Sequence, residues 1–407
     1  MKKIFILLTF TLLQVFSCNV FAQTSDLTLR EVLNFINKDS LNRTVQDMQN
    51  FESRLCTKTI GQNRKVAQYL ADRLKVYGIE NAHIDSFYVS GYNWLAGEYA
   101  QYMYNVLGTL QGTGGSDSTV IIGAHLDAIS YDDAWILTAN APGADDNATG
   151  CAVMIEMARV MYEKNIKPFH NIDFMAYDAE EIGLLGAHYD AEKRSTANDN
   201  IIVMLNNDMV GNQPKDEIWK VSLRWYTNSL DITEKAEQAL NTYTTVIPVR
   251  SNASNSTGSD SYAYFMKNYK VNFAIEQYFS PHYHSEYDLT ENLNFEYCRE
   301  IAKMNFVLLD YYSGINLPLS IKSDGKGFEQ CIDVFPNPAT EVIRIHNLND
   351  VVISRIEIVD ITGRIMFTDS NPKQQQNIIY VRDLSNGVYF LRIHTNKSVV
   401  NKKIIKQ

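Results

Sequence analysis

The sequence has 407 residues, a formal net charge of -10 at pH 7 and 45% hydrophobic residues. That length exceeds one typical domain, so we expect two globular domains. The acidic balance argues against a nucleic-acid partner, whose binding surfaces are basic, and it favours solubility. Five cysteines in so long a chain do not form a disulfide scaffold.

The first 22 residues are typical of a signal peptide. Lys2 and Lys3 form a positive end, residues 4–16 form a short apolar run, and Ala22 offers a small residue for cleavage. The run is too short for a transmembrane helix. Lipid attachment at Cys18 is an alternative for the same segment. We therefore expect an exported protein, in which disulfides are permitted.

The segment that follows alternates between helix and strand signals. Residues 26–90 are mainly helical by pattern, with apolar residues at helical spacing over residues 66–77 and Gly78 ending that run. Residues 82–88 and 102–111 alternate as strands, joined by an aromatic loop. This order of elements favours an α/β domain.

The next strand signal carries the first candidate site residues. Residues 120–124 form an apolar, β-branched run that ends at His125 and Asp127. A buried parallel strand has this pattern, with its chemistry just past its carboxyl end. A polar loop then leads to the adjacent acids Asp145 and Asp146, before an amphipathic helix. An imidazole gathered with several carboxylates favours a divalent metal such as zinc.

Three further strand-like runs end in the same way. The first precedes Glu180 and Glu181, the second precedes Asp208, and the third ends at Glu276, a few residues before His284. An open α/β sheet collects such side chains in one crevice outside its carboxyl edge. The sequence therefore predicts a single site built from several strand ends.

In their order and spacing these segments resemble the M28 zinc aminopeptidases. The resemblance covers about residues 40–312 and implies the zinc exopeptidase fold, a mixed, mostly parallel sheet with helices on both faces. The matching motifs are Gly-Ala-His125-Leu-Asp127, Pro-Gly-Ala-Asp145-Asp146-Asn, Ala-Glu180-Glu181-Ile-Gly, Asn-Asp208-Met and Tyr283-His284-Ser-Glu-Tyr-Asp288.

The resemblance implies a centre for two zinc ions per chain. Asp146 is expected to bridge the ions, because its two oxygens can reach two cations. His125 and Asp208 would complete one zinc site, and Glu181 and His284 would complete the other. Cys151 and His188 lie nearby in sequence, but the family does not use the His188 position, and carboxylates and histidines already fill the set.

The resemblance also implies roles beside the metals. Glu180 is expected to be the general base for a metal-bound water, and Asp127 to orient the imidazole of His125. Ser259 and Asp260 resemble a Ser-Asp pair that lines the family's site.

Glu276 joins Ser259 and Asp260 as an expected substrate-binding residue. Some relatives carry an aromatic hydroxyl, an oxyanion donor, a few residues before the Ser-Asp pair. Here Asn255, Ser256 and Thr257 occupy those positions.

The C-terminal part has another character. We expect the peptidase domain over residues 23–314, a Gly, Ser and Lys linker over 315–330, and a small β-sandwich over 331–407. Its Val-Phe-Pro-Asn-Pro and Gly-Val-Tyr-Phe-Leu-Arg stretches and basic end resemble the type A sorting domain of the type IX secretion system. This implies contact with that machinery and export through the periplasm to the cell surface or medium. A carbohydrate-binding or spacer sandwich is the alternative.

Together these features predict a secreted two-zinc exopeptidase, an aminopeptidase that removes N-terminal residues from peptides. Three alternatives stay open: a single-zinc enzyme like glutaminyl-peptide cyclotransferase, a carboxypeptidase or dipeptidase on the same fold, and a non-enzymatic binding module. The complete acidic pairs at 145–146 and 180–181 favour a hydrolase, and the full ligand set argues against a binding module.

Overall fold

The computed structural model describes residues 29–56, 62–315, 332–347, 352–360, 364–373, 376–395 and 399–407. These residues form two compact units, one before residue 316 and one after residue 331. The predicted signal peptide and nearly all of the predicted linker lie outside the described residues. Among the described residues, no helix has both the length and the apolar character that a membrane span requires.

An eight-stranded mixed sheet forms the framework of the first unit. Its strands are β1 (His83–Asn93), β2 (Gly97–Leu110), β3 (Thr119–His125), β4 (Asn171–Tyr177), β5 (Ile201–Asn207), β6 (Lys220–Arg224), β7 (Ile247–Arg250) and β8 (Val271–Glu276). They lie in the order β1-β2-β4-β3-β5-β8-β6-β7. The central strands β4, β3, β5 and β8 run parallel to one another, so their carboxyl ends meet at one edge. The outer pairs β1–β2, β2–β4 and β6–β8 are antiparallel, and β6–β7 is parallel.

Helices cover both faces of this sheet. They are α1 (Lys38–Gln49), α2 (Asn63–Val76), α3 (Gly150–Glu163), α4 (Leu185–Ala197), α5 (Leu230–Tyr243), α6 (Ser261–Phe265) and α7 (Phe295–Ser313), with a 3-10 turn at Thr290–Asn292 and helical residues over 29–35. Successive residues of β3 point to opposite faces, so Val120 and Ile122 join one apolar core with Val153 of α3, whereas Ile121 joins another with Ala187 of α4. The predicted fold class is confirmed.

Helix α3 is more deeply buried than the amphipathic pattern predicted. Residues 150–161 are all buried, because α1 and α7 pack against the side of α3 that faces away from the sheet. Its buried charged residues form hydrogen bonds with other protein groups and are not exposed to solvent. The carboxylate of Glu156 accepts hydrogen bonds from the guanidinium of Arg159 (2.7 and 2.6 Å) and from the main-chain N–H of Asn37 (2.7 Å).

The unit after residue 331 is a β-sandwich, as predicted. Its strands are β9 (Ile332–Phe335), β10 (Val342–Asn347), β11 (Ile353–Asp360), β12 (Ile365–Asp369), β13 (Gln376–Tyr380), β14 (Gly387–Thr395) and β15 (Val399–Lys406). They form a three-stranded sheet, β13-β10-β9, and a four-stranded sheet, β12-β11-β14-β15, with antiparallel pairs in both. Ile343 and Ile345 of the first sheet share one buried core with Ile356 and Leu391 of the second.

Candidate metal centre

The candidate ligands meet at the carboxyl edge of the parallel strands. His125 is the last residue of β3, Asp208 directly follows β5, and Glu181 lies four residues beyond β4. Asp146 lies in the loop between β3 and α3, and His284 lies in the segment after β8. The structure therefore brings together five residues that are spread over 160 positions of the sequence, because the parallel sheet ends its strands side by side.

These five side chains form two groups that share Asp146. In the first group, His125 Nε2 lies 3.1 Å from Asp146 Oδ1 and 3.3 Å from Asp208 Oδ1. In the second, His284 Nε2 lies 3.1 Å from Asp146 Oδ2 and 2.9 Å from Glu181 Oε2. Each oxygen of Asp146 thus faces one imidazole, which is the geometry of a carboxylate that bridges two cations.

The donor set fits zinc. Each group offers two carboxylates and one imidazole, with all ligand atoms within 4.8 Å of one another. Tetrahedral ligands bound about 2.0–2.1 Å from zinc lie about 3.3 Å apart, which agrees with the separations between these ligand atoms. Glu181 Oε1 is buried and lacks a hydrogen-bond partner among the described residues. A bound cation would satisfy such an atom.

The electrostatics of the cluster point the same way. Burial lowers the pKa of His125, but the charges of Glu180 and Asp208 raise that pKa well above its ordinary value. Burial and the charge of Asp146 raise the pKa of Glu181 to about 7. The protein therefore concentrates negative charge in a buried place, which is favourable only when cations neutralise that charge.

Asp127 lies fully buried between the two halves of the site. Its main-chain carbonyl oxygen lies 3.2 Å from Nδ1 of His125, the ring nitrogen opposite the ligand atom, and its Oδ1 lies 3.6 Å from the same nitrogen. Its carboxylate also accepts hydrogen bonds from the main-chain N–H groups of Glu180 (3.0 Å) and Glu181 (3.3 Å). The sequence suggested only the contact with the imidazole. The structure adds that Asp127 fixes the turn carrying both glutamates.

Glu180 and Glu181 have different surroundings although they are adjacent. Glu181 belongs to the second ligand group, whereas Glu180 belongs to neither of the two groups found among the described residues. Burial raises the pKa of Glu180 well above its ordinary value, His125 opposes the rise, and Glu181 and Asp208 add to it. Glu180 is therefore a carboxylate held beside the candidate ligands rather than among them.

Two residues without a predicted role hold the loop that carries Asp146. The carboxylate of Asp288 accepts hydrogen bonds from the main-chain N–H groups of Asp145 (2.8 Å) and Asp146 (3.0 Å). The fully buried guanidinium of Arg54 donates to the main-chain carbonyls of Leu126 (2.8 Å), Pro142 and Gly143 (2.6 Å). Asp288 stood inside a quoted motif, but nothing in the sequence signalled Arg54.

The three predicted substrate-binding residues lie in different settings. Ser259 is buried, and its hydroxyl accepts a hydrogen bond from Asn206 Nδ2 (2.6 Å). Both oxygens of Glu276 accept main-chain hydrogen bonds, from Ser280 (2.6 Å) and Asn212 (3.0 Å). Their predicted substrate contacts stay predictions, since the structure shows these two side chains holding neighbouring loops.

Asp260 differs from the other two. It is fully buried, and neither carboxylate oxygen has a hydrogen-bond partner among the described residues. Burial raises its pKa well above the ordinary value, His125 lowers it, and Asp208 raises it further. An unsatisfied acceptor within electrostatic range of the metal ligands is a candidate contact for a cationic group.

Cys151 and His188 are not among the ligand groups. The thiol of Cys151 donates to the main-chain carbonyl of His125 (3.2 Å), and it is buried under the site. His188 is exposed on α4, where desolvation and the charge of Lys267 lower its pKa. The structural role predicted for these positions stays a prediction.

Two tyrosines contact the ring of His284 and were not foreseen. Tyr283 stacks on it with ring centroids 3.6 Å apart. Tyr131 meets it edge-on with centroids 5.5 Å apart, and the main-chain N–H of Tyr131 donates to the His284 carbonyl (3.1 Å). Burial raises the pKa of the Tyr283 phenol strongly, and the charges of Asp146 and Glu181 add to the rise, so this hydroxyl stays protonated.

Comparisons with known proteins agree with this geometry. The family model of peptidase family M28 matches residues 105–309, and that of the secretion system C-terminal sorting domain matches residues 333–407. The chain belongs to peptidase family M28, and it ends in a sorting domain of that type. The predicted M28-type zinc metallopeptidase with its sorting domain is confirmed.

Two curated relatives show the level of similarity. A probable leucine aminopeptidase of Arthroderma otae is 27% identical over 278 residues, which is 66% of this chain and 70% of the relative. Leucine aminopeptidase 1 of Ajellomyces dermatitidis is 32% identical over 218 residues, covering 50% of this chain and 55% of the relative.

Solved structures share the fold at low identity. LapB from Legionella pneumophila has a TM-score of 0.56 and 20% identity, covering 70% of this chain and 74% of that protein. An aminopeptidase from Aneurinibacillus has a TM-score of 0.58 and 15% identity, covering 72% and 98%. A glutaminyl cyclase from Bacteroides thetaiotaomicron has a TM-score of 0.54 and 18% identity, covering 67% and 97%.

Proposed function

We propose that this chain is a two-zinc aminopeptidase that removes N-terminal residues from peptides. The position of Asp146 carries the proposal: its two oxygens lie 3.1 Å from His125 Nε2 and 3.1 Å from His284 Nε2, one each. A single-zinc enzyme has no need of a carboxylate placed between two complete ligand groups. The leucine aminopeptidases among the relatives support the same reaction class.

The zinc ions would be held by the two ligand groups, His125, Asp146 and Asp208 in one, and Asp146, Glu181 and His284 in the other. When bound, such ions polarise a carbonyl and lower the pKa of a nearby water. The protein holds these ligands in place through Asp127, which orients His125 and the turn at Glu181.

Glu180 moves the proton in this proposal. Its carboxylate takes a proton from the attacking water and delivers it to the nitrogen of the leaving amine as the peptide bond breaks. Two features support this assignment. Its pKa is raised above the ordinary value, which favours proton uptake, and its carboxylate stands outside both ligand groups.

Asp260 and Tyr283 complete the substrate contacts that we propose. The two unsatisfied oxygens of Asp260 would accept hydrogen bonds from the protonated amino terminus, which supplies the donors that they lack. The protonated phenol of Tyr283 would donate to the oxyanion of the tetrahedral intermediate. Tyr283 would thereby replace the aromatic hydroxyl that is missing at Asn255, Ser256 and Thr257.

The sorting domain supports export to the cell surface or the medium. We propose the predicted route, in which the N-terminal signal peptide directs the chain to the periplasm and the C-terminal domain engages the type IX machinery. Expression in a host with and without that machinery tests the route, since the protein should stay in the periplasm when the machinery is missing.

A peptide panel tests the proposed reaction. The zinc-loaded chain, the chelated chain and the chelated chain after zinc restoration are each given free-amino, N-blocked and C-blocked peptides. We expect cleavage only with a free amino terminus, loss on chelation, and recovery with two zinc ions per chain. Equal cleavage of N-blocked peptides would contradict an aminopeptidase.

The second candidate is a glutaminyl cyclase, which the Bacteroides thetaiotaomicron structure favours because it shares the fold over 97% of its length. Peptides that begin with glutamine distinguish the two enzymes. A cyclase releases ammonia and leaves the peptide bond intact, whereas an aminopeptidase releases the terminal residue. One zinc per chain together with ammonia release would favour the cyclase.

A further inference from the structure

Two exposed tryptophan rings and one partly buried tyrosine ring lie side by side next to the candidate metal centre. Trp94 lies in the turn between β1 and β2, and Tyr131 and Trp135 lie in the loop over residues 131–137. The ring centroids of Tyr131 and Trp135 are 4.7 Å apart and stacked, and those of Trp94 and Trp135 are 5.8 Å apart. We call these three residues the aromatic platform.

The platform begins at a metal ligand. The Tyr131 ring lies 5.5 Å from the ring of His284, and the Tyr131 N–H donates to the His284 carbonyl (3.1 Å). On the other side, Asn93 Nδ2 donates to the main-chain carbonyl of Ile182 (3.4 Å), the residue that follows the ligand Glu181. The platform is therefore connected to the segments that carry His284 and Glu181, the histidine and one carboxylate of the second ligand group, and it extends outward from them.

The two tryptophans of the platform are exposed, although rings of this size usually pack against apolar partners. Trp94 is 67% exposed and Trp135 is 56% exposed. The backbone of Trp135 has a φ of 61°, a left-handed conformation that is unfavourable for a tryptophan. An exposed apolar patch and an unfavourable backbone in one place indicate a binding surface.

The loops behind the rings are well supported. Leu95 and Leu137 pack with the buried residues Ala128 and Ile129. The carboxylate of Asp132 accepts hydrogen bonds from the main-chain N–H groups of residues 134 (2.9 Å) and 136 (3.0 Å), which holds the turn that presents Trp135. The rings are thus presented on an organised support, as in sites where rigid aromatic side chains bind a ligand at low entropic cost.

We propose that the aromatic platform binds apolar and aromatic side chains of the peptide substrate beyond the cleaved bond. This inference rests on the proposed aminopeptidase function. The metal ligands are buried, so the terminal residue lies inside, while the rest of the peptide must leave the site at its exposed side. The platform starts at His284 and is an exposed apolar surface attached to that ligand. Stacking on tyrosine and tryptophan rings favours aromatic side chains there.

Two peptides that differ only beyond the cleaved bond test the platform. Leu-Ala-Phe-Phe and Leu-Ala-Ser-Ser share the terminal residue and the scissile bond. With the zinc-loaded full chain we expect kcat/KM to be about tenfold higher for the aromatic peptide, mainly through a lower KM, as follows from stacking on one or two rings. In the double variant Trp94→Ala, Trp135→Ala the ratio should fall to about one.

Control variants show whether the effect is specific to the platform or follows from removing any exposed aromatic surface. Tyr88 and Tyr102 form another exposed aromatic pair on the same two strands, with centroids 5.4 Å apart and each 58% exposed. The double variant Tyr88→Ala, Tyr102→Ala should keep the wild-type ratio. The double variant Trp94→Phe, Trp135→Phe should keep most of it, because the rings are preserved. A wild-type ratio near one, or a ratio that survives in the tryptophan-to-alanine variant, overturns the proposal.

A binding measurement separates this inference from the proposed function. Calorimetry with Glu180→Gln, which would bind peptide without cleaving it, should show tighter binding of Leu-Ala-Phe-Phe than of Leu-Ala-Ser-Ser, and the two tryptophan-to-alanine changes should remove the difference. If no peptide is cleaved by wild type but this difference is seen, the reaction is wrong and the platform stands. If cleavage is normal and binding shows no difference, the platform proposal fails alone.

The oligomeric state gives a further check. If the protein is a dimer and the two tryptophan-to-alanine changes dissociate it, the rings form a contact between copies, and the proposal is overturned.

Discussion

At the scale of single residues, two adjacent glutamates differ in what their carboxylates contact. Glu181 lies 2.9 Å from the imidazole of His284 and belongs to a ligand group, whereas Glu180 does not. The turn that carries them is held by Asp127, which accepts a hydrogen bond from each main-chain N–H. Because Asp127 fixes the backbone of this turn, the two side chains can keep different positions, and only Glu181 lies in a ligand group.

The first prediction tests this division. Glu180→Gln keeps size and hydrogen bonding but removes the proton acceptor, so zinc content should hold at two per chain while kcat falls roughly 10²–10⁴-fold. Glu181→Gln should lose one zinc, because a neutral amide is a poor zinc ligand, and excess zinc should partly restore its activity. Zinc analysis with steady-state kinetics measures both. Zinc loss from the Glu180 variant with retention in the Glu181 variant would reverse the two roles.

The second prediction concerns Tyr283, whose ring stacks on His284 with centroids 3.6 Å apart. Tyr283→Phe keeps the stacked ring but removes the hydroxyl, so zinc content should be unchanged while kcat falls by about 10²-fold, as for the loss of one oxyanion donor. Tyr287→Phe, a change of the same kind at a tyrosine that is 68% exposed, is the control. Wild-type kcat in Tyr283→Phe would exclude an oxyanion role for this phenol.

The cluster of candidate metal ligands could be predicted from the sequence, whereas the residues that hold its loops could not. His125, Asp208 and the Glu180–Glu181 pair come at or just after strand signals, so the sequence predicts that each lies at the carboxyl edge of the sheet. Arg54 acts through main-chain carbonyls 72 to 92 positions away, and a carbonyl has no signature in the sequence. Polar groups that bind the backbone are therefore visible only in three dimensions.

The third prediction tests the role of Arg54. Arg54→Met keeps the length of the buried side chain but leaves the carbonyls of Leu126 and Pro142 without their donor, whereas the Gly143 carbonyl keeps the N–H of Ala148 (3.2 Å). Each buried carbonyl left unpaired costs about 1–3 kcal/mol, so the free energy of unfolding should fall by at least about 2 kcal/mol. Zinc affinity should fall too, because the loop carrying Asp146 loses its support. Denaturant unfolding and zinc titration measure the two effects.

The control for Arg54 is Arg43→Met on α1. Arg43 is an exposed residue, 76% accessible, that pairs with Asp47 at 3.3 Å. Such a surface pair contributes little, so its loss should change the free energy of unfolding by less than about 0.5 kcal/mol and leave zinc binding intact. Equal effects of the two changes would contradict a specific role for Arg54.

At the scale of elements, hydrophobic patterning predicted the strands and helices, but it did not predict how closely the helices pack against one another. The apolar run before His125 predicted a strand buried on both faces, and β3 is buried along its whole length. The amphipathic pattern over residues 150–164 predicted a helix with one exposed face, and α3 has none over residues 150–161. Paired charges such as Glu156 with Arg159 look solvated in the sequence and are buried in the structure.

The fourth prediction concerns the first residue of α3. A methyl group on Gly150 would lie 2.3 Å from the main-chain oxygen of Asn207 and 2.8 Å from Cβ of Ala124. Gly150→Ala should therefore push α3 away from β5, whose end carries Asp208, and lower the free energy of unfolding by about 1–3 kcal/mol. Zinc affinity of the first ligand group should fall with it. Gly387→Ala is the control, because a methyl group there meets no atom closer than 3.9 Å.

At the scale of the whole molecule, the described residues form two units with separate cores. The first unit contains every candidate ligand and the two cores on the faces of the large sheet. The core of the second unit is built only from residues after 331. The change from helix signals to short alternating strands made this division visible in the sequence. The domain boundaries at 314 and 331 stay predictions, since the residues between the two units lie outside the part of the chain that the structure describes.

The last prediction tests whether the C-terminal unit is needed for catalysis. A chain that ends after Ile315 keeps all of the candidate ligands, and it keeps Ile315, which packs against the core of the first unit. It should therefore fold with the same cooperative unfolding transition for that unit, bind two zinc ions and retain the kcat/KM of the full chain on short peptides. In a host that has the type IX machinery, the shortened chain should stay in the periplasm, because the sorting domain is missing. A shortened chain that is soluble and holds zinc but cleaves no peptide would show that the C-terminal unit takes part in the reaction.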